Sequence, residues 1–105
     1  MTPNPTRGRV YIADIGYGEK PFLVVSNNGR NRALSDCVAV RITTSHKPPL
    51  ATIIELTPAD LPLVGRVLCD DITPLYHDEI KRTVGALSLP TMMRVADGLR
   101  AAHAL

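Results

Sequence analysis

The chain has 105 residues, 45% of them hydrophobic and 21% charged, with a net charge of +2. That size makes a single domain, residues 1–105, able to bury a core without staples, and no apolar run approaches the ~20 residues of a membrane span. The N-terminus lacks the basic-then-apolar pattern of a secretory leader, so a cytoplasmic protein is expected. The charge is unevenly spread: residues 1–50 hold seven bases against three acids, a balance of +4, while residues 51–105 balance at −2. A basic half suits a phosphate-binding surface, although ordinary solvated surface charge gives the same count. Cys37 and Cys69 both sit in apolar runs and read as buried thiols of a reducing compartment. Their spacing does not make a metal site, and no cofactor is expected.

In chain order, residues 1–6 carry two prolines and read as a loose arm. Residues 9–15, with Val10, Tyr11 and Ile12, predict a strand. Gly16-Tyr17-Gly18-Glu19-Lys20 is a Gly-rich loop running into Pro21, which fixes φ and lacks a donor, as suits the first residue of a strand. Lys20 before it is biased toward extended backbone, which puts Glu19 and Lys20 at the rim of a sheet. Residues 21–27 predict an apolar strand ending in Ser26-Asn27-Asn28. Residues 29–36 are a polar connection with room for one helical turn, and residues 37–44 the next strand, closed by Thr43 and Thr44.

After the breaker His46-Lys47-Pro48-Pro49-Leu50, residues 51–56 form a β-branched strand. Residues 57–64 hold two prolines and read as a loop. Residues 66–70 form a short strand and residues 79–87 another. Ser88 caps a C-terminal helix with Pro90 in its first turn, and Met92, Val95, Ala96, Leu99 and Ala102 make an apolar stripe at helical spacing. Several short strands and one terminal helix predict a mainly β, α+β domain: a small, strongly bent antiparallel barrel with a C-terminal helix.

Arg7-Gly8-Arg9-Val10-Tyr11-Ile12-Ala13-Asp14, then Lys20-Pro21, then Val40-Arg41-Ile42-Thr43-Thr44 and the terminal helix together resemble the MazF/PemK/Kid family of toxin ribonucleases from bacterial toxin–antitoxin pairs. The chain is similar in particular to actinobacterial MazF toxins whose loop reads Gly-Tyr-Gly, Lys-Pro, Ser-Asn-Asn. The resemblance implies an SH3-like barrel of the PemK/CcdB type. It implies a metal-independent, sequence-selective endoribonuclease that cuts single-stranded RNA by attack of the 2′-hydroxyl, leaves a 2′,3′-cyclic phosphate and arrests translation and growth. The RNA is messenger, ribosomal or transfer RNA. A homodimer and a cognate MazE-like antitoxin are implied as well. Two alternatives remain. One is a non-catalytic gyrase poison of this fold, which the absence of Trp and the ending Arg100-Ala101-Ala102-His103-Ala104-Leu105 argue against. The other is a nucleic-acid-binding barrel without catalysis.

Such cleavage needs general acid–base help and charge stabilisation at phosphorus. By resemblance Lys20 takes the place of an Arg before Pro, the main phosphate-side residue of the family. The exchange matters, because Arg forks onto two oxygens while Lys is a point charge that can give up a proton. Thr43 matches the hydroxyl at the end of the third strand, and Asp70 the acid of a Cys-Asp step. The family's Gln-Val-Arg-Ser run after that acid is replaced here by Asp71-Ile72-Thr73-Pro74. Glu19 is the rival carboxylate. Read without the family, Lys20 is a loop lysine and Asp70 a turn residue. Tyr17 is either a base-stacking platform or a loop-packing ring. Asn27, Asn28, Arg30 and Arg32 are candidates to read bases or hold phosphates, joined by Arg41, Thr44 and Ser45 around Thr43. His46 titrates in a useful range, but it, His77 and His103 are not expected to be catalytic.

Overall fold

The computed structural model describes residues 4–105. Six strands and two helices follow one another: β1 (Arg9–Asp14), β2 (Glu19–Val24), α1 (Asn28–Ala33), β3 (Asp36–Thr43), β4 (Ile53–Glu55), β5 (Arg66–Tyr76), β6 (Ile80–Ala86) and α2 (Leu89–His103). They build one sheet in the order β4-β5-β3-β2-β1-β6, with every neighbouring pair antiparallel.

Alternation along the strands divides the core in two. Val10, Leu23, Val40, Ile42, Val67 and Cys69 face one side, where Met92 and Val95 of α2 close over them. Tyr11, Ala13, Phe22, Val24, Cys37, Ala39 and Leu75 form a second cluster from the intervening positions. A strand buried on both faces loses the polar alternation of a solvated sheet, which is why β2 and β3 read as nearly continuous apolar runs. Bulges bend the sheet: β1 slips against β6 between Val10 and Tyr11 and between Ile12 and Ala13, and β3 slips against β5 between Val40 and Ile42. The expected strongly bent antiparallel architecture with a terminal helix is what forms.

Three elements differ from their sequence reading. β5 runs on to Tyr76 instead of ending at Asp70. Pro74 pairs with Val38 inside it. The strand tolerates this proline because β4 covers only Arg66–Leu68, so the far half of β5 is bonded on the β3 side alone. β2 begins at Glu19, so Glu19 and Lys20 belong to a strand, opposite Asp14 and Ala13 of β1. Of the expected N-terminal arm, residues 1–3 lie outside the described residues; Pro5 is fully buried and the Thr6 N–H donates to the Tyr11 hydroxyl at 3.1 Å.

Helix α2 is capped as its sequence predicts: Ser88 Oγ accepts the Thr91 N–H at 3.3 Å, with Pro90 in the first turn. It lies close to the sheet because Gly98 has no side chain. A Cβ there would stand 2.7 Å from Cys69 Sγ.

Candidate active site

The ladder between β2 and β3 covers Phe22–Val24 and Ala39–Arg41 only. It stops beside Pro21, which has no N–H to continue it. Beyond that point the strands part, and a cleft of about 550 Å³ opens between them. Glu19, Lys20 and Pro21 line one side, Arg41 to Ser45 the other, and Pro62, Leu63 and Val64 of the β4–β5 loop form a wall. Of the sequence candidates, the cleft thus gathers Glu19, Lys20, Arg41, Thr43, Thr44 and Ser45.

Thr43, Ser45, Arg41 and Glu19 are each held by a neighbour. Thr43 Oγ1 accepts the Ser45 N–H at 3.1 Å, which leaves its own proton free to donate. Arg66 bonds the Ser45 carbonyl at 3.3 Å and the Glu55 carboxylate at 2.8 Å, fixing the turn after β3. Arg41 is half-buried, with its guanidinium 5.9 Å above the Phe22 ring. Its Nε is buried without a hydrogen-bond partner. Glu19 is paired with Arg82 of β6 at 3.1 Å. That pair is more than half exposed at both ends, so it orients the carboxylate more than it stabilises the fold. The ion pairs among the described residues are Arg30–Asp36, Arg66–Glu55, Arg82–Glu19 and Arg100–Asp97. Lys20 and Arg41 belong to none of them, so the cleft keeps two uncommitted cations.

The other candidates lie elsewhere. Asp70 does not line the cleft. Cys69 beside it is buried against α2, so alternation turns Asp70 out to solvent, and β3 stands between β5 and β2. Asn27, Asn28 and Arg30 sit at the opposite end of β2 and are already engaged. Asn27 caps α1 by accepting the Gly29 and Arg30 N–H groups at 2.8 and 3.2 Å. Asn28 Oδ1 accepts the Arg7 N–H at 2.7 Å, and Arg30 bonds Asp36 at 2.7 Å. Arg32 is exposed on α1. Tyr17 is 80% exposed at the tip of the β1–β2 loop, one turn before Lys20. His46 is exposed just past Ser45. Among the described residues no three His, Cys, Asp or Glu side chains gather as they would to hold a metal ion.

Three residues that sequence reasoning passed over support the loop wall. Asp60 is 1% exposed. It accepts the N–H groups of Thr57 at 2.9 Å and Ser88 at 2.8 Å, and the Thr91 hydroxyl at 2.7 Å. Burial alone would raise the pKa of this carboxyl; the bonds from Ser88, Thr57 and Thr91 outweigh it and hold the pKa at about 2. Gly65 has φ +116°, and a Cβ on it would stand 2.3 Å from the Thr43 carbonyl oxygen. Arg66 follows it. The one sequence signal for this group was the lone Gly between a two-proline loop and a strand.

The chain matches the PemK-like, MazF-like toxin family of type II toxin–antitoxin systems over residues 6–103. It is 44% identical over 101 residues to Endoribonuclease MazF1 of Mycobacterium bovis and to Endoribonuclease MazF4 of Mycobacterium tuberculosis, covering 96% of this chain and 94% of each relative. Among solved structures it is similar to a mycobacterial endoribonuclease in complex with its cognate antitoxin, with TM-score 0.91, 44% identity and 96% of both chains covered. A MazE–MazF crystal structure from Deinococcus radiodurans, at TM-score 0.84 and 21% identity over 98% of both chains, shows the same fold.

Proposed function

The chain belongs to the PemK-like, MazF-like family of endoribonuclease toxins of toxin–antitoxin systems, and on that premise we propose that it cuts single-stranded RNA in the Lys20–Thr43 cleft without a metal ion. The observation that carries this reading is the convergence of a free cation, a free hydroxyl and an oriented carboxylate where β2 and β3 part. Glu19 takes the proton of the 2′-hydroxyl as that oxygen bonds to phosphorus. Lys20 and the Thr43 hydroxyl face the non-bridging oxygens, on which negative charge builds. The P–O5′ bond then breaks. The departing 5′-oxygen takes a proton from Lys20, and the 2′,3′-cyclic phosphate leaves. Solvent restores the two side chains.

Single strands fit an open cleft of this size because their base edges and phosphates are both accessible. Tyr17, exposed in the β1–β2 loop, offers a stacking face, and Thr44 and Ser45 offer polar contacts to the flanking nucleotides. Two protomers pair to lengthen this groove, which one barrel is too small to extend over several nucleotides. Light scattering at micromolar concentration is expected to give a dimer mass, and a monomer mass excludes the pairing. The natural inhibitor is an acidic, MazE-like antitoxin segment; a relative was solved with its cognate antitoxin, and the uncommitted cations of the cleft suit an acidic chain. The place of action is the cytoplasm; among the described residues no helix is long and apolar enough to cross a membrane.

The deciding experiment is incubation of the pure protein with single-stranded RNA in excess EDTA. Cleavage with 2′,3′-cyclic phosphate ends is expected. Intact RNA under EDTA with cleavage on adding a divalent ion refutes the metal-free mechanism, and binding without cleavage in both conditions refutes catalysis.

A further inference from the structure

We propose that Arg41 is the guanidinium fork of the phosphate site and acts with Lys20 on the scissile phosphodiester. The inference rests on the cleavage reading above. Arg41 sits directly opposite Phe22 on the last rung before the strands part. It is therefore at the apex of the cleft, two residues before Thr43 along β3, and it lines that cleft together with Lys20. Lys20 lies two residues before Phe22 on β2, so the two cations flank the point where the cleft opens, placed to hold a single phosphate between them.

Its environment fixes the group while leaving it unsatisfied. The guanidinium lies over the Phe22 ring, a contact that costs no donor. Nε is sealed from solvent with no acceptor. Neither terminal nitrogen bonds a described residue, and no carboxylate pairs with the side chain. The sealed Nε cannot reach a ligand, so the terminal nitrogens, which bond no described residue, are the donors Arg41 offers to the cleft. Two fixed, parallel N–H donors match the two non-bridging oxygens of a phosphodiester, which a lysine cannot do.

The charge balance requires the second cation. The transition state of the transfer carries close to two negative charges on phosphorus. Glu19 is offset by Arg82, so Lys20 alone leaves one of these charges uncovered, and Arg41 covers it. Arg41 acts only as a hydrogen-bond donor. It gains and loses nothing, and the proton transfers remain with Glu19 and Lys20. It is a catalytic residue in contact with the reacting phosphate.

The test compares wild type, Arg41→Lys and Arg41→Met in single-turnover cleavage of a short single-stranded RNA, intact or with one phosphorothioate at the scissile phosphate. Near-ultraviolet circular dichroism and thermal unfolding establish folding. Arg41→Lys keeps both stem and charge and serves where Arg41→Met does not fold. Both substitutions are expected to lower the rate at saturating protein ~100-fold. They should also erase most of the rate difference between the two phosphorothioate diastereomers. Wild-type rates in folded Arg41→Lys overturn the proposal, as does a lowered rate with the diastereomer preference intact. If the wild-type protein itself leaves the RNA uncut, the underlying cleavage reading fails instead.

Discussion

The Asp60 carboxylate accepts the Ser88 backbone N–H at 2.8 Å, so a residue of the β4–β5 loop bonds the residue that caps α2. The same loop carries Pro62, Leu63 and Val64 to the wall of the cleft. The position and charge of one buried acid therefore connect the helix to the site.

Asp60→Asn replaces an acceptor by a donor that faces the Thr57 and Thr91 groups. An unfolding free energy lower by about 2–3 kcal/mol is expected in urea titrations at pH 7. The pH dependence follows from the sign of the shift. The folded pKa of about 2 lies below the usual aspartate value. The carboxylate's contribution, about 2 kcal/mol, is thus fully present above pH ~4 and is lost as pH falls toward 2. In Asp60→Asn this part of the acid destabilisation should vanish; an unchanged slope between pH 4 and 2 counts against the assignment.

Lys20→Ala and Thr43→Ala each remove a group from the cleft that holds no ion pair or buried packing role. Cleavage should fall ~100- to 1000-fold in each, with the melting temperature moving little. Wild-type cleavage by a folded Lys20→Ala protein would remove Lys20 from the mechanism.

Gly65→Ala sets a methyl group against the Thr43 carbonyl at a position whose positive φ an L-residue resists. We expect a loss of at least about 2 kcal/mol, seen as a drop in melting temperature on the order of 10 °C. Activity should fall beyond what the unfolded fraction explains, because Thr43 and Ser45 must shift. Full specific activity at a temperature where the variant is folded would show that the turn tolerates displacement.

An acidic peptide from the antitoxin should displace a non-cleavable RNA, faster at low salt than at high. Arg32→Ala should weaken both ligands slightly. Arg30→Ala should act chiefly on stability, by about 1 kcal/mol, because it releases Asp36 and the end of α1. Peptide and RNA bound together in one groove would show that the two surfaces are separate.

The strands, the terminal helix and its cap were legible because they rest on local signals: alternation, β-branched runs, and Ser88 before Pro90. The length of β5 was not, because Pro74 reads as a stop unless one knows that no strand lies on that side of it. The strand-rim position of Glu19 and Lys20 was legible, since Pro21 marks in sequence the place where the ladder ends; Thr43, which lines the same cleft, was singled out by the family resemblance. Asn27, Asn28 and Arg30 offered the right chemistry for RNA, but their capacity goes to capping α1 and tying it to β3 and the N-terminal segment. Such partners lie up to 21 residues away, beyond any local pattern. Asp60 was invisible for the same reason: Thr91, which it bonds, is 31 positions distant.

The two cysteines give the molecule an internal pair of clocks. Cys69 lies in the half of the core closed by α2 and Cys37 in the other half, and both are fully buried. Burial, then a neighbouring aspartate, pushes each thiol up to about 11. Each is therefore protonated near neutral pH, and a thiol reagent can modify it only after the chain opens. With Gly98 pressed against its sulfur, Cys69 becomes reactive only when α2 lifts from the sheet. Pulse alkylation followed by mass spectrometry would time the undocking of the helix separately from the opening of the far side of the sheet. The same measurement, repeated with RNA or antitoxin bound, would show which half each ligand holds shut.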